Sequence, residues 1–238
     1  MTQHKIGILC ASDDELAPFL TRLGPCRCQE RAMLKIYEGS LNGVPVAALY
    51  SGVCKVNAAV AAQLLIDVYR VDAIVNAGVA GGLAPEVRIF DTVVCTQAAY
   101  HDVAEDILTE FHPWMPSVYF SADGGLLRAA HTAAEQWAQG GRIFFGRIVT
   151  GEQFISGGRR AEINAAFVPL AVDMETAAVA HVCHVNRVPF LAVRTLTDAA
   201  DHTGAADFEA NCPRAAELAA GFTAALLPRY AQDTEETG

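Results

Sequence analysis

Carboxyl side chains follow several apolar, strand-like runs of this sequence, where they could act as acids, bases or hydrogen-bond acceptors. The first run leads to Ser12-Asp13-Asp14-Glu15, a later one leads to Asp173-Met174-Glu175, and a third leads into Arg194-Thr195-Leu196-Thr197-Asp198. Ligands of parallel α/β sheets bind beyond the carboxyl ends of the strands. We therefore expect these acidic groups and the arginine to converge at one edge of a sheet.

Acidic residues at the start of a helix also stabilise that helix without any catalytic role. This alternative accounts well for Asp13 or Asp14. It accounts less well for Glu175, because the helix that follows it is very apolar over residues 177–182, and we expect its carboxylate to face a cleft. For Asp198 the two interpretations are balanced.

Two glycine-containing segments do not match the common phosphate-binding motifs. The run Gly78–Gly82 follows a buried strand but lacks the G-x-G-x-x-G pattern of dinucleotide sites, and Ser51–Lys55 lacks the glycine that precedes the lysine of a P-loop. Phe154 follows another strand end. An aromatic side chain there belongs to the core or offers a stacking surface to a flat ring.

The composition excludes several classes of protein. The chain has 238 residues, is 52% hydrophobic and carries a formal net charge of −10. So high an apolar fraction excludes intrinsic disorder, and the acidic balance argues against nucleic acid or an anionic membrane as a partner. The sequence shows neither an apolar stretch long enough to span a membrane nor a convincing secretory signal, so we expect a cytoplasmic protein.

The cysteines and histidines do not predict a metal site. The seven cysteines lack the paired spacing of metal ligands, which favours reduced thiols used as small hydrophobic side chains. His181-Val-Cys183-His184 lies on an apolar helical pattern, which favours a place in the core over metal binding. We therefore predict no metal and no cofactor.

Strand-like and helical patterns alternate along the chain. This predicts an α/β fold with three layers, in which helices flank a mixed, mostly parallel central sheet. Predicted strands are Ile6–Cys10, Leu34–Glu38, Val44–Tyr50, Ala73–Asn76, Thr92–Thr96, Phe145–Thr150, Leu170–Asp173 and Pro189–Arg194; predicted helices are Asp13–Leu23, Val56–Tyr69, Ala122–Gln139, Met174–His184 and Pro213–Leu227. Without a visible linker or repeat, residues 1–230 are predicted to form one domain, followed by a frayed acidic tail over residues 231–238.

In their order and spacing, several segments resemble the 5′-methylthioadenosine/S-adenosylhomocysteine nucleosidases of the purine nucleoside phosphorylase superfamily. The resemblance extends from Lys5 to about Phe222. The segments that carry it are Lys5–Ile8, Asp13–Glu15, Ser51–Asn57, Asn76–Leu83, Tyr100–Asp102, Thr150–Ile155, Val172–Glu175, Ala180–His184 and Val193–Asp198. It implies a nucleoside phosphorylase-like fold, hydrolysis of the bond between adenine and ribose, an adenine nucleoside as the small-molecule partner, no cofactor and a homodimer.

The resemblance also implies roles for particular residues. Asp198 would protonate the leaving purine at N7, and Glu15 would activate the attacking water. An acid that works at neutral pH needs a raised pKa, which a dry pocket can supply. The implied binding residues are Gly81 near the nucleoside, Phe154 and Ile155 at the adenine, Met174 and Glu175 at the ribose, Arg194, and Phe208 beside the 5′ group.

The nearest alternative is a nucleoside phosphorylase of the same superfamily, which uses phosphate in place of water. Such enzymes need arginines in the early loop and a serine in the glycine-rich segment, whereas this chain has Glu15 and Val79 there. We therefore favour water as the nucleophile. An aminodeoxyfutalosine nucleosidase, which shares the catalytic core, and a non-catalytic nucleoside-binding protein remain further alternatives.

The chain also departs from the family pattern in ways that leave the 5′ group open. Val79 stands where the nucleosidases also commonly have serine, and Ser12, Cys54 and Thr197 replace the usual residues. The segment between His101 and Asp123 differs in composition and slightly in length. In the family this region helps to cover the 5′ group, partly from a neighbouring subunit. A monomer would struggle to bury the apolar side chains of this segment, which supports the predicted dimer; they are Ile107, Leu108, Phe111, Trp114 and Met115.

Overall fold

The computed structural model describes residues 4–155, 158–200 and 204–237, with side chains described as far as Asp233. Strands and helices alternate along it, as the sequence predicts. The strands are β1 (Ile6–Cys10), β2 (Arg27–Arg31), β3 (Leu34–Leu41), β4 (Val44–Tyr50), β5 (Ala73–Gly82), β6 (Thr92–Tyr100), β7 (Phe120–Ser121), β8 (Ile143–Thr150), β9 (Ala171–Asp173) and β10 (Phe190–Asp198). The helices are α1 (Asp13–Leu20), α2 (Lys55–Asp67), α3 (Glu105–Thr109), α4 (Gly124–Glu135), α5 (Arg159–Phe167), α6 (Thr176–Asn186) and α7 (Gly204–Thr237).

All ten strands belong to one mixed sheet. Strand β1 pairs in parallel with β4 and β5, and β3 and then β2 extend the sheet from β4 in antiparallel fashion. On the other side, β5 pairs with β10, β10 with β6, β6 with β8, β8 with β9, and β9 again with β5. This part of the sheet therefore closes into a ring. The combination of one mixed sheet with the helices listed above confirms the predicted α/β fold.

Helices cover both faces of the sheet and make the outer layers. Ile6 and Ile8 of β1 pack into the same buried cluster as side chains of α1, α4 and α7. Leu9 packs on the opposite face, in the cluster that contains α2 and α6. Burial on both faces explains why the central strands are continuously apolar rather than alternating.

Two strands extend further than their sequence pattern predicts. Strand β5 was predicted to end at Asn76 but continues to Gly82, because its glycine-rich half pairs with β10. Strand β10 was predicted to stop at Arg194 but reaches Asp198. The glycine-rich run is therefore part of a strand and not a loop, and Asp198 is the last residue of a strand.

The ends of the chain and four short elements also differ from the predictions. Helix α7 begins at Gly204, well before Pro213, and continues through Pro228 to Thr237. It thus covers most of the segment predicted as a frayed tail, while Gly238 lies outside the described residues. The sequence patterns did not indicate β2, α3, β7 or α5, whose residues are polar or too few to show a clear period.

Candidate active site

A cleft opens at the carboxyl ends of β1, β5, β9 and β10. Eight of the nine site residues predicted from the sequence line it: Glu15, Gly81, Phe154, Ile155, Met174, Glu175, Asp198 and Phe208. The ninth, Arg194, has no solvent-exposed surface and lies behind the wall of the cleft. The structure therefore brings the acidic groups together as expected and places the arginine among them rather than in the cavity.

Glu15 is held by backbone N–H groups from two strand ends. Its Oε2 accepts hydrogen bonds from the N–H of Ala11 at 2.5 Å and of Ser12 at 3.2 Å, and its Oε1 accepts one from the N–H of Val79 at 2.7 Å. The Ser12 hydroxyl in return caps α1 by accepting from the Glu15 N–H. The capping role that the sequence suggests for Asp13 or Asp14 thus belongs to Ser12 and Glu15.

Glycines in β5 allow the acidic side chains to approach the strand. A Cβ on Gly78 would overlap the Glu15 carboxylate and lie 2.7 Å from Nη1 of Arg194. A Cβ on Gly81 would lie 3.0 Å from Oδ1 of Asp198. Gly78 and Gly81 therefore leave the space that the Glu15 and Asp198 carboxylates occupy.

Arg194 is fully buried and surrounded by oxygen atoms. Its neighbours are Asn76 Oδ1 at 2.8 Å, Asp173 Oδ2 at 2.9 Å, Thr176 Oγ1 at 3.2 Å, Glu175 Oε2 at 3.4 Å and Glu15 Oε1 at 3.5 Å. Burial alone lowers the pKa of Arg194, but these carboxylates outweigh burial and raise it. The prediction that Arg194 contacts substrate directly is therefore corrected: in this geometry the guanidinium positions the acids.

Glu175 precedes α6 and bridges the guanidinium and a backbone donor. Its Oε1 accepts a hydrogen bond from the N–H of Cys54 at 2.9 Å. Burial raises the pKa of Glu175 to about 7, with Arg194 opposing the rise and Asp173 and Glu15 adding to it. Only 3% of the residue is exposed, and that part faces the cleft as expected.

Asp198 is the last residue of β10 and lines the cleft. Its Oδ2 accepts a hydrogen bond from the Thr197 hydroxyl at 2.9 Å, and its Oδ1 accepts one from the N–H of Ala200 at 2.7 Å. Thr197 replaces the usual serine of the family pattern, but it supplies the same hydroxyl group. The substitution therefore keeps a donor beside the carboxylate.

Aromatic and apolar side chains form the side of the cleft away from the sheet. Phe154 and Phe208 meet edge to face, with ring centroids 6.3 Å apart. Phe154 is 47% exposed, whereas Ile155 is 4% exposed. Met174 lies beside Glu175 along the same cleft. A flat, partly apolar ligand would find a stacking surface here.

Sequence reasoning missed a buried polar network that supports the acids. Asp173 accepts a hydrogen bond from Thr150 Oγ1 at 2.6 Å and from the Thr176 hydroxyl, and it pairs with Arg194. Asn76 donates to the Leu9 carbonyl at 2.9 Å. The available signal was the presence of polar residues inside otherwise apolar strands, since buried polar groups require partners.

The segment His181–His184 contacts the core through His181, which is partly buried, and Cys183, whereas His184 is exposed. Cys183 is 1% exposed in an apolar cluster, and the ring of His181 stacks on Phe120 with centroids 5.1 Å apart. The structure thus favours the core interpretation of these residues. Among the residues described, no helix has the length and apolar character that crossing a membrane would require.

The sequence matches the phosphorylase superfamily over residues 5–228. It is 38% identical over 196 residues to the 5′-methylthioadenosine/S-adenosylhomocysteine nucleosidase of Actinobacillus succinogenes, a match that covers 81% of this chain and 84% of that relative.

Solved structures with the same fold include several nucleosidases. The enzyme of Neisseria meningitidis in complex with methylthio-immucillin-A is 32% identical, with a TM-score of 0.87 and coverage of 94% of this chain and 98% of that one. The enzyme of Colwellia psychrerythraea in complex with adenine is 32% identical, with a TM-score of 0.89 and coverage of 96% of each chain. A futalosine hydrolase of Helicobacter pylori is 29% identical, with a TM-score of 0.86 and coverage of 94% of this chain and 97% of that one. The chain therefore belongs to the 5′-methylthioadenosine/S-adenosylhomocysteine nucleosidase family within the phosphorylase superfamily.

Proposed function

We propose that this protein hydrolyses the N-glycosidic bond of 5′-methylthioadenosine and/or S-adenosylhomocysteine. It releases adenine and the thioribose product, with water as the nucleophile. The observation that carries the proposal is the presence of Glu15, Glu175 and Asp198 around one cleft that also offers an aromatic surface. The relatives named above support it, because their names state this activity.

Asp198 serves as the general acid in this proposal. Adenine leaves poorly as an anion, so a proton must reach its N7 as the bond to ribose lengthens. The hydrogen bonds from Thr197 and Ala200 fix the orientation of the Asp198 carboxyl group at the carboxyl end of β10. Proton transfer from a positioned side chain typically contributes roughly 10²–10⁴-fold in rate.

Glu15 serves as the base that activates water. As the glycosidic bond breaks, the ribose acquires oxocarbenium character and becomes open to attack from the face opposite adenine. Backbone donors from Ala11 and Val79 hold the Glu15 carboxylate in one orientation. A fixed carboxylate beside the sugar can take a proton from water without reorganisation of the site.

The remaining residues bind the nucleoside. Glu175 accepts hydrogen bonds from the ribose hydroxyls, and Met174 packs against the sugar. Phe154 stacks on the adenine ring, and the backbone of Ile155 bonds to its edge. The last two members of the proposed binding set are Gly81, beside Asp198, and Phe208, beside the 5′ group.

The charges around the cleft favour water over phosphate. Glu15, Asp173, Glu175 and Asp198 lie at or just behind the cavity wall, and Arg194 is already paired with the first three of them. A phosphate dianion would meet repulsion from these carboxylates. The phosphorylase alternative therefore lacks an electrostatic basis here.

Release of adenine from 5′-methylthioadenosine, measured with and without phosphate, tests the proposal. We expect release at the same rate in phosphate-free buffer. Strict dependence on phosphate would favour the phosphorylase instead, and adenine binding without release would favour the non-catalytic alternative.

A second candidate function, hydrolysis of aminodeoxyfutalosine, differs from the first only in the 5′ group of the substrate. The fold is also that of a futalosine hydrolase. Aminodeoxyfutalosine has the same adenine and ribose groups, for which contacts are proposed above. A substrate panel that varies only the 5′ group separates the candidates. We expect the highest kcat/KM for a 5′-thioether, and a preference for aminodeoxyfutalosine would select the alternative.

A homodimer and a cytoplasmic location are further parts of the proposal. Of the apolar side chains between His101 and Asp123, Ile107, Phe111 and Trp114 are 46%, 57% and 65% exposed, whereas Leu108 and Met115 are buried within the chain. The exposed members therefore support an interface, and the buried ones do not. Light scattering should give the mass of a dimer at micromolar concentration.

A further inference from the structure

A charged cluster lies at the rim of the cleft and involves none of the residues assigned above. The Nζ of Lys55 lies 2.9 and 3.0 Å from the two carboxylate oxygens of Asp102 and 3.9 Å from Oε1 of Glu152. The same Nζ lies 5.2 Å from the centroid of the Tyr100 ring. We call Lys55, Asp102 and Glu152 the rim triad.

The rim triad joins three separate parts of the chain. Lys55 is the first residue of α2, Asp102 follows β6, and Glu152 follows β8. Backbone groups reinforce the side-chain contacts: the Lys55 N–H donates to Glu152 Oε1 at 3.1 Å, and the Glu152 N–H donates to Asp102 Oδ2 at 2.9 Å. The position of the segment that begins at Glu152 is therefore fixed from two sides.

That segment carries the proposed adenine contacts. Gln153, Phe154 and Ile155 follow Glu152 directly, and all of them line the cleft. Phe154 is nearly half exposed, so the packing around its own ring does little to hold it. The rim triad anchors the segment at its start, and Arg159 Nη1 donates a second contact to Gln153 Oε1 at 2.8 Å within it.

Lys55 is also linked, through the residue before it, to the proposed ribose contact Glu175. Cys54, the residue before Lys55, donates its N–H to Glu175 Oε1. Cys54 adopts φ +83° and ψ 163°, a strained conformation that is essentially restricted to glycine. Such a conformation persists when its surroundings over-determine it, and Lys55 supplies contacts at the adjacent residue.

Two of the three charged side chains of the rim triad are partly buried, and the third, Glu152, is 41% exposed. The side chains of Lys55 and Asp102 are 20% and 19% exposed. Burial alone raises the pKa of Asp102, but the hydrogen bonds from Lys55 and from the Glu152 N–H outweigh it, so that the pKa is lowered. The partners of the Asp102 carboxylate therefore favour its ionised form.

We propose that Lys55 is a positioning residue for nucleoside binding, which acts through Asp102 and Glu152 on the adenine-contacting segment and through Cys54 on Glu175. This inference rests on the proposed function. Lys55 itself does not touch the cavity. Its effect is to set the distance between the surface that stacks on adenine and the carboxylate that binds ribose.

The test is the variant Lys55→Met, which keeps most of the unbranched apolar part of the side chain and removes its charge. Because adenine and ribose contacts exist in the ground state and the transition state alike, their loss raises KM and leaves kcat nearly unchanged. We expect KM for 5′-methylthioadenosine to rise roughly tenfold and kcat to fall less than about threefold, since small displacements of binding groups have effects of this order or larger. Calorimetry should show a matching loss of affinity for adenine.

Two further variants separate positioning from general stability. Asp102→Asn should raise KM by a similar factor, and the double variant should raise it no further, because both changes remove the same contact. Lys5→Met is the matched control: Lys5 Nζ pairs with Glu38 Oε1 at 2.9 Å, also partly buried, but away from the cleft. It should leave KM unchanged.

The outcomes distinguish the inference from the proposed function. If the unmodified protein neither releases adenine nor binds it, the proposed function fails before any variant is made. If the unmodified protein is active and a folded Lys55→Met retains its KM, only the positioning role is overturned. Additive effects of Lys55→Met and Asp102→Asn would also overturn it. Should Lys55→Met fail to fold, Asp102→Asn carries the test, with an unchanged KM as the contrary result.

Discussion

The cleft has an inner wall of Glu15, Glu175 and Asp198, backed by Arg194, and an outer wall of Phe154, Ile155 and Phe208. Each inner acid is at most 3% exposed and is held by hydrogen bonds within the protein, whereas Phe154 is 47% exposed and lies on a segment outside the sheet. The inner wall is therefore set by the fold itself before a ligand arrives. The outer wall depends on its anchoring segment and gains further burial when a ligand binds.

This contrast assigns different kinds of work to the two walls. Preorganised charges and hydrogen-bond groups lower the barrier of a reaction because they need no rearrangement as charge develops. Apolar stacking binds the substrate and the transition state about equally, so it lowers KM without raising kcat. Changes at Glu15, Asp198 or Arg194 should therefore reduce kcat or stability, and changes at the outer wall or at the ribose contact of Glu175 should raise KM.

The largest effect is expected at the inner wall from Asp198→Asn, because an amide cannot protonate the leaving adenine. We expect kcat to fall by roughly 10²–10⁴-fold, with little change in affinity for adenine or in the thermal unfolding midpoint. Initial rates of adenine release and calorimetry measure these quantities. An unchanged kcat would show that another group is the acid.

The next effect concerns the stability of the inner wall. Arg194→Met leaves Glu15, Asp173 and Glu175 buried without their shared cation, and removal of one partner from a buried ion pair costs about 3–5 kcal/mol. Unfolding in urea should show a loss of this size. The matched control is Arg22→Met, since Arg22 pairs with the more exposed Glu217, and we expect a loss below about 1 kcal/mol. Equal losses would contradict the distinction.

At the outer wall, Phe154→Ala should remove the stacking surface without touching the acids. Stacking of a base on an aromatic side chain is worth about 1–3 kcal/mol, so KM should rise by roughly five- to 150-fold while kcat changes much less. Steady-state kinetics with 5′-methylthioadenosine measures both constants. A fall in kcat with KM preserved would place Phe154 in the chemistry rather than in binding.

The smallest effect is a pH dependence of binding that arises from Glu175, whose pKa is raised to about 7. The ionised carboxylate accepts hydrogen bonds from the ribose hydroxyls, whereas the protonated form must first lose its proton. Affinity should therefore be constant above pH 7 and fall by up to about tenfold for each pH unit below it. Titration of an uncharged, non-hydrolysable adenine nucleoside measures this. Glu175→Gln should flatten the profile, and a flat profile in the unmodified protein would contradict the assignment.

The sequence predicts the central layers well because long apolar strands and amphipathic helices carry a strong periodic signal. Glu15, Glu175 and Asp198 could be anticipated because acids at the ends of parallel strands must meet at one edge. The closed ring of strands could not be anticipated. Glycines normally indicate a turn, and nothing local shows that the glycine-rich half of β5 pairs with β10 and β9.

The two predictions that changed most depended on tertiary contacts. Arg194 carries a charge at a strand end, which suggests a ligand contact, but its burial among Asp173, Asn76 and Thr176 follows only from the packing of distant segments. The early start of α7 was missed because residues 204–212 show no apolar stripe. The polar network behind the acids was likewise hidden, since Asn76, Thr150 and the pair Asp173 and Thr176 lie far apart in the sequence.

Because β5, β10, β6, β8 and β9 close into a ring, each has a paired neighbour on both sides in the described part of the chain. Apart from the two-residue β7, the open edge of the sheet in the described part of the chain is β2, whose sequence is Arg27-Cys28-Gln29-Glu30-Arg31 and whose side chains are mostly exposed. A short, charged edge strand resists pairing with the sheet of another molecule. The proposed active site therefore lies beside the closed ring of strands, whereas the strand that resists aggregation lies at the open edge of the sheet.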